Sequence, residues 1–149
     1  MEAIIFIGIQ ATGKSTFYRD QFFQTHLRIS LDLLKTRARE KQFFETCLQT
    51  KQKLVIDNTN PRVEDRQRYI PAAKAVDFKV VGYYFESKIA DALKRNQQRM
   101  GKQRIPEPGI LATYNKLMMP TFNEGFDQLY YVGIGEDGNF NIEEWRDEI

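Results

Sequence analysis

The 149-residue sequence predicts an α/β fold, a single domain built as a three-layer parallel sheet flanked by helices. Short, uninterrupted apolar runs recur at Ala3–Ile7, Leu54–Asp57 and Phe78–Phe85, the pattern of strands buried on both faces. Longer stretches of good helix formers separate them. No repeat, low-complexity tract or Ser/Gly-rich linker divides the chain, and its length suits one self-sufficient core.

In chain order, Ala3–Ile7 reads as the first strand, and Ser15–His26 as a helix with Phe17, Phe22 and Phe23 as its buried positions. Leu27–Ile29 is a brief second strand, and Asp32–Lys51 a long helix. Leu54–Asp57 is the third strand, ended by the turn residues Asn58–Pro61. Arg62–Val76 reads as a helix that Pro71 kinks or interrupts. Phe78–Phe85 is the fourth strand, Lys88–Met100 a helix, Gly101–Gly109 a basic turn, Ile110–Met119 a helix and Leu129–Val132 the last strand. Strands alternating with helices imply parallel pairing through crossovers, and ligands in such sheets sit beyond the carboxyl ends of the strands. Gly8, Asp32, Asp57 and the segment after Phe85 all follow strand ends and should share one crevice. Phe43, Phe44, Tyr83, Tyr84 and Phe85 fall in core patterns, and Trp145 should anchor the C-terminal tail.

Composition narrows the class. The lone cysteine, Cys47, cannot form an internal disulfide, which suits a reducing compartment. The opening apolar stretch lacks a basic flank, and no run approaches the roughly 20 residues a membrane span needs. A cytoplasmic protein without membrane attachment is expected. The net charge of +2 hides an asymmetry. Residues 1–122 carry 21 basic and 12 acidic residues, a balance of +9, whereas residues 123–149 carry 1 and 8, a balance of −7. A basic body with an acidic tail from about residue 133 suits a polyanionic ligand, either a nucleotide or a nucleic acid.

The segment Gly8-Ile9-Gln10-Ala11-Thr12-Gly13-Lys14-Ser15 fits the phosphate-binding pattern G-x-x-x-x-G-K-[S/T]. A chance match in a chain of this length has odds of about one in two hundred, and this one follows an apolar strand and opens a helix. The sheet is thus expected to be of the P-loop NTPase type. The glycines let consecutive amides curl around an anion, and the helix dipole adds positive charge there. Lys14 should contact the β- and γ-phosphates of ATP, Ser15 should ligate Mg²⁺ through its hydroxyl, and Thr16 should reach the α-phosphate. Asn115-Lys116-Leu117-Met118 begins like a guanine reader and lacks its aspartate, which argues against a GTPase. One histidine and one cysteine form no His/Cys metal cluster, and His26, read as the end of the first helix, is not placed for a Ser-His-Asp arrangement.

Four elements in order, GIQATGKST at Gly8–Thr16, RISLD at Arg28–Asp32, VIDNTNP at Val55–Pro61 and RNQQR at Arg95–Arg99, resemble the kinase domain of 5′-polynucleotide kinases and their standalone bacterial, AAA-like relatives. The likeness runs from about Ile4 to Val132, with a looser match at Ile105-Pro106 and at Pro120 through Glu124-Gly125-Phe126. The resemblance implies that Asp32 is the general base for an incoming hydroxyl, although Asp32 also suits a helix N-cap. It implies that Asp57, with Asn58 and Thr59, borders the acceptor. Asp57 alternatively supports the Mg²⁺ shell or simply forms the turn. Arg95 and Arg99, one helical turn apart, correspond to a lid spanning about 95–109 that clamps the nucleotide phosphates, and the bland alternative is a solvated basic face. Three residues after the base the family carries an arginine that grips the acceptor's phosphate. Here Lys35 keeps the charge and loses the bidentate fork. The expected activity is transfer of the γ-phosphate of ATP to the 5′-hydroxyl of DNA or RNA. A kinase of a small metabolite, sugar or antibiotic and an ATP-binding module without phosphotransfer are the alternatives.

Overall fold

The computed structural model describes residues 1–146. Six strands, β1 (Glu2–Ile7), β2 (Leu27–Ile29), β3 (Leu54–Ile56), β4 (Lys79–Phe85), β5 (Gln128–Ile134) and β6 (Phe140–Glu144), form one sheet in the order β2-β3-β1-β4-β5-β6. The first five are parallel, and β6 runs antiparallel to β5. The chain leaves β1 for the edge strand β2, returns at β3 and then crosses to β4. Its direction of winding therefore reverses beside β1, where α/β sheets hold their ligands.

The alternation within β1 assigns the two faces. Ile4 and Phe6 pack with Phe17, Tyr18 and Phe22 of the segment containing α1 (Lys14–Gln21). Ala3, Ile5 and Ile7 pack with α3 (Arg37–Thr50) and α5 (Ile70–Ala75) on the other side. A third cluster joins Ile9 and Ala11 of the glycine loop to Ala92 of α6 (Ile89–Gln97) and Ile110 of α7 (Glu107–Lys116). Among the described residues no helix is long and apolar enough to cross a membrane.

Several expectations shift for local reasons. The long helix expected over Asp32–Lys51 is two pieces, α2 (Leu31–Leu34) and α3, separated at Lys35, whose φ of 74° ends the first. Thr36 then caps α3, its hydroxyl accepting from the Arg39 amide at 3.1 Å. The stretch expected as a kinked helix over Arg62–Val76 is likewise split into α4 (Val63–Arg66) and α5, and Pro71 sits in the first turn of α5, where its missing N–H costs nothing. Because α1 stops at Gln21, Phe23 is 69% exposed instead of buried. Phe43 is 48% exposed because its neighbour Phe44 takes the inward position on α3.

The acidic tail contains a strand the sequence analysis did not assign. A Gly135–Asn139 turn with an Asp-Gly step returns the chain, and Val132 pairs with Ile142 and Ile134 with Phe140. Trp145 packs edge-on against Tyr84 at 5.6 Å and so ties the end of β6 to the sheet.

A buried ion pair fixes the segment between α7 and β5. Arg66, with no exposed surface, meets Glu124 at 2.9 Å and donates to the Met118 carbonyl at 3.0 Å. Glu124→Ala strands that guanidinium and is expected to lower the unfolding free energy by about 3–5 kcal/mol. Urea denaturation reads this directly, and a loss below ~1 kcal/mol would be the behaviour of a screened surface pair instead.

Candidate active site

The loop Gly8–Ser15 leaves β1 and enters α1 with three residues in the left-handed region, Gly8 (φ 156°), Ala11 (φ 62°) and Gly13 (φ 94°). Two of them are glycines for a second reason. A Cβ on Gly8 would lie 3.0 Å from the Phe85 Cβ, and one on Gly13 would lie 2.9 Å from the Phe140 ring. Neighbouring elements hold the curl in place. The Gly8 amide donates to the Thr59 carbonyl at 2.9 Å, and the Ile9 amide to Ser87 Oγ at 3.1 Å. Thr12 Oγ1 turns back onto the Ile9 carbonyl at 2.9 Å, and Gln10 Nε2 reaches Thr113 Oγ1 on α7 at 3.0 Å. Arg95 Nη1 donates to the Ala11 carbonyl at 3.3 Å.

Lys14 is folded into this ring. Its Nζ donates to the carbonyls of Gly8 at 3.0 Å and Ile9 at 2.6 Å, which leaves one of its three N–H bonds free. Burial pushes its ammonium down to about 8, against the pull of Asp57 and Asp32, which favour the charged form. Arg99 is near enough to add to the lowering.

Ser15 follows, its hydroxyl donating to Asp57 Oδ2 at 3.1 Å. Asp57 caps the end of β3 and is buried. Asp32 lies one residue into α2, and its placement is set indirectly. The Leu31 amide donates to Asn58 Oδ1 at 2.9 Å, while Asn58 Nδ2 donates to Glu40 Oε2 at 2.7 Å. Glu40 is itself buried and accepts from Tyr69 at 2.8 Å and Arg37 at 2.9 Å. Both ends of the Asn58 side chain are thus engaged within the protein, clamping the helix that carries Asp32 to α3.

Two cavities flank the loop. One of about 260 Å³ is lined by Lys14, Ser15, Asp32, Asp57, Thr59 and Arg99, and also by Gln10 and Asn58. The other, about 660 Å³, runs from Gly13 and Thr16 past Arg95, Gln98 and Arg99 to the β5–β6 hairpin at Ile134, Asn139 and Phe140. Arg99 lines both. Gly8 and Thr12 line neither, serving the loop's own bonding. Lys35 stands outside both walls, at the break after α2. Arg28, Glu40 and the hairpin were not singled out by the sequence analysis. The alternation of Phe140 and Ile142 beyond an Asp-Gly turn was the available signal for the hairpin.

Ser15 and Asp57 offer hard oxygen donors 3.1 Å apart. That suits Mg²⁺, which completes its shell with waters and phosphate oxygens rather than a protein cage.

The family described as "AAA domain" matches residues 4–119, spanning the loop, both aspartates and α6. The chain belongs to that family. This AAA-domain chain is 29% identical over 135 residues to the bifunctional polynucleotide phosphatase/kinase of Schizosaccharomyces pombe and 28% identical over 138 residues to a putative bifunctional polynucleotide phosphatase/kinase of Acanthamoeba polyphaga mimivirus. Each match covers 88% of this chain and 33% of the relative, so the chain spans about a third of the length of these curated relatives. Among solved structures, Chaetomium thermophilum Kti12 in complex with ADP-AlF3 superposes with a TM-score of 0.69 at 14% identity, over 91% of this chain and 92% of the other. A gluconokinase from Sinorhizobium meliloti 1021 gives 0.63 at 13% identity, over 91% and 83%. These likenesses show the P-loop kinase type of fold, the α/β sheet expected from the sequence.

The lowered Lys14 ammonium has a measurable consequence. Phosphate anions bound against it raise its pKa, so above about pH 8 binding of ATP is expected to take up a proton, and affinity falls as pH rises through that value. Without ligand the sign reverses. The unfolded chain then holds more proton than the fold between about 8 and the ordinary 10.5, and this group adds stability as pH rises. Calorimetric titration at pH 9 in buffers of different ionisation enthalpy reports the uptake, and a binding heat independent of buffer would show that Lys14 does not meet the phosphates.

Proposed function

We propose that the protein is an ATP-dependent phosphotransferase that phosphorylates the 5′-hydroxyl end of DNA or RNA. The observation that carries the reading is the meeting of Lys14, Ser15, Asp32, Asp57 and Arg99 on one cavity of about 260 Å³ beside the phosphate loop. The relatives named polynucleotide phosphatase/kinase support the choice of acceptor.

In this reading the loop amides of Gly8–Ser15 cradle the β- and γ-phosphates, Thr16 reaches the α-phosphate, and the adenosine lies in the larger cavity toward the β5–β6 hairpin. The free N–H of Lys14 reaches the γ-phosphate. Arg99, shared by both cavities, neutralises charge spreading over the transferred group, and Arg95 braces the loop beneath it. Ser15, and Asp57 through water, would hold Mg²⁺, which would supply positive charge to the phosphates. Asp32 accepts the proton of the acceptor hydroxyl as its oxygen forms a bond to the γ-phosphorus and the bond to the ADP oxygen breaks. Thr59 and the backbone around Asn58 border the entering hydroxyl. Segment 95–109 acts as the lid.

Transfer of label from γ-labelled ATP to 5′-hydroxyl oligonucleotides tests the acceptor, and ATP binding without transfer would sink it. Asp32→Asn is expected to keep ATP affinity and lose about 10²–10⁴-fold in turnover. Undiminished transfer would remove Asp32 from its role.

One observation favours a second reading. Lys35, at the position of the arginine expected to grip an acceptor nucleotide, lies outside the cavity walls. A small-molecule hydroxyl would fit the same machinery. A panel of sugars and metabolites assayed beside the oligonucleotides separates the two.

A further inference from the structure

Arg28 closes over the two side chains that offer themselves to the metal. From β2, its Nε donates to Asp57 Oδ2 at 2.8 Å and its Nη2 to Ser15 Oγ at 3.2 Å. The same Oδ2 accepts the Ser15 hydroxyl at 3.1 Å. The three groups form a closed triangle, with one cation serving one carboxylate. The Asp57 side chain is 2% exposed and that of Arg28 28%. A carboxylate this deeply buried needs a counter-charge, and among the described residues Arg28 is its ion-pair partner.

A magnesium ion held by Ser15 Oγ would have to share an oxygen that already accepts a guanidinium N–H. Two cations would then crowd the same hydroxyl and the same carboxylate in a partly water-excluded cavity, where repulsion is weakly screened. The arrangement that avoids this is exchange. β2 is the edge strand of the sheet, and the Arg28 head is partly open to solvent, so the side chain can swing outward without disturbing the core.

We infer that Arg28 is the metal-free counterion of Asp57 and competes with Mg²⁺ for the Ser15–Asp57 pair, so that it sets the affinity of the site for metal-nucleotide. In the empty protein it keeps Asp57 neutralised and oriented, and it yields that place when the metal arrives with the triphosphate. The inference rests on the assignment of Ser15 as the metal ligand.

Manganese titrated in the presence of the non-hydrolysable β,γ-imido analogue of ATP, with free ion read by electron paramagnetic resonance, measures the affinity without any turnover. Arg28→Gln removes the charge, and its manganese affinity is expected to rise about tenfold, the scale for losing one partly screened unit charge beside a divalent ion. The same variant, free of ligand, is expected to melt below wild type, with the gap closing at saturating manganese and analogue. An affinity equal to or weaker than wild type would overturn the inference and make Arg28 a support for the metal instead of its competitor. Should Arg28→Gln fail to fold, Arg28→Lys decides. It keeps the charge, cannot span both oxygens, and is expected to bind manganese about threefold tighter, with no tightening counting against the proposal. Ser15→Ala separates the premise from the inference, since unchanged manganese affinity there would overturn the metal assignment itself.

Discussion

An anion-binding loop must turn its amides toward the ligand, and the carbonyls left pointing the other way need partners. In this protein Lys14 supplies them. Its ammonium sits on the carbonyls of Gly8 and Ile9, so the side chain proposed to meet the triphosphate also closes the loop on itself. The rest of the architecture follows from keeping that ring curled. Thr59 binds the Gly8 amide, Ser87 the Ile9 amide, and Arg95 the Ala11 carbonyl. The ends of β1, β3 and β4 and the last turn of α6 are thus fastened to one eight-residue segment. The convergence of strand ends, a general property of parallel sheets, becomes a defined site here because each end donates or accepts a bond at the loop.

The C-terminal hairpin extends this logic to the far side of the loop. Phe140 lies against Gly13 closely enough to exclude a side chain there, and edge-on against Phe17 of α1 at 5.1 Å. A strand from the acidic tail therefore becomes a wall of the larger cavity. The charge asymmetry along the chain takes on a spatial meaning. Lys14, Arg95 and Arg99 are the basic residues that line the two cavities, and β6 keeps its glutamates out of the lining while lending it Phe140 and Ile142.

What could be read in the sequence was what chemistry fixes locally. The loop motif, the strand it follows and the helix it opens lie within fifteen residues, and apolar runs reveal buried strands without tertiary information. The aspartates after β2 and β3 were legible because parallel topology sends strand ends to one place. The rest depended on long-range partners. Lys35 breaks a helix whose composition favours continuity, because Asn58 and Glu40, distant in sequence, clamp the short helix before it. Arg28 looked like an ordinary strand residue, since nothing local reveals that Asp57 lies 29 positions away across the neighbouring strand. β6 was obscured by its composition, since it ends in two adjacent exposed glutamates and only Phe140 is partly buried.

The two buried networks around the site differ in kind, and the difference explains which can move. Glu40 is buried, with three donors converging on its carboxylate, and both of its oxygens are engaged within the protein. It suits a fixed frame for the helix that carries Asp32. The Asp57 carboxylate is also buried, yet its cation comes from an edge strand and reaches solvent. A charge held that way can be replaced by another of greater valence without reopening the core. Under the proposed function, this gives the carboxylate assigned as base a rigid support, and the pair assigned to the metal an exchangeable one.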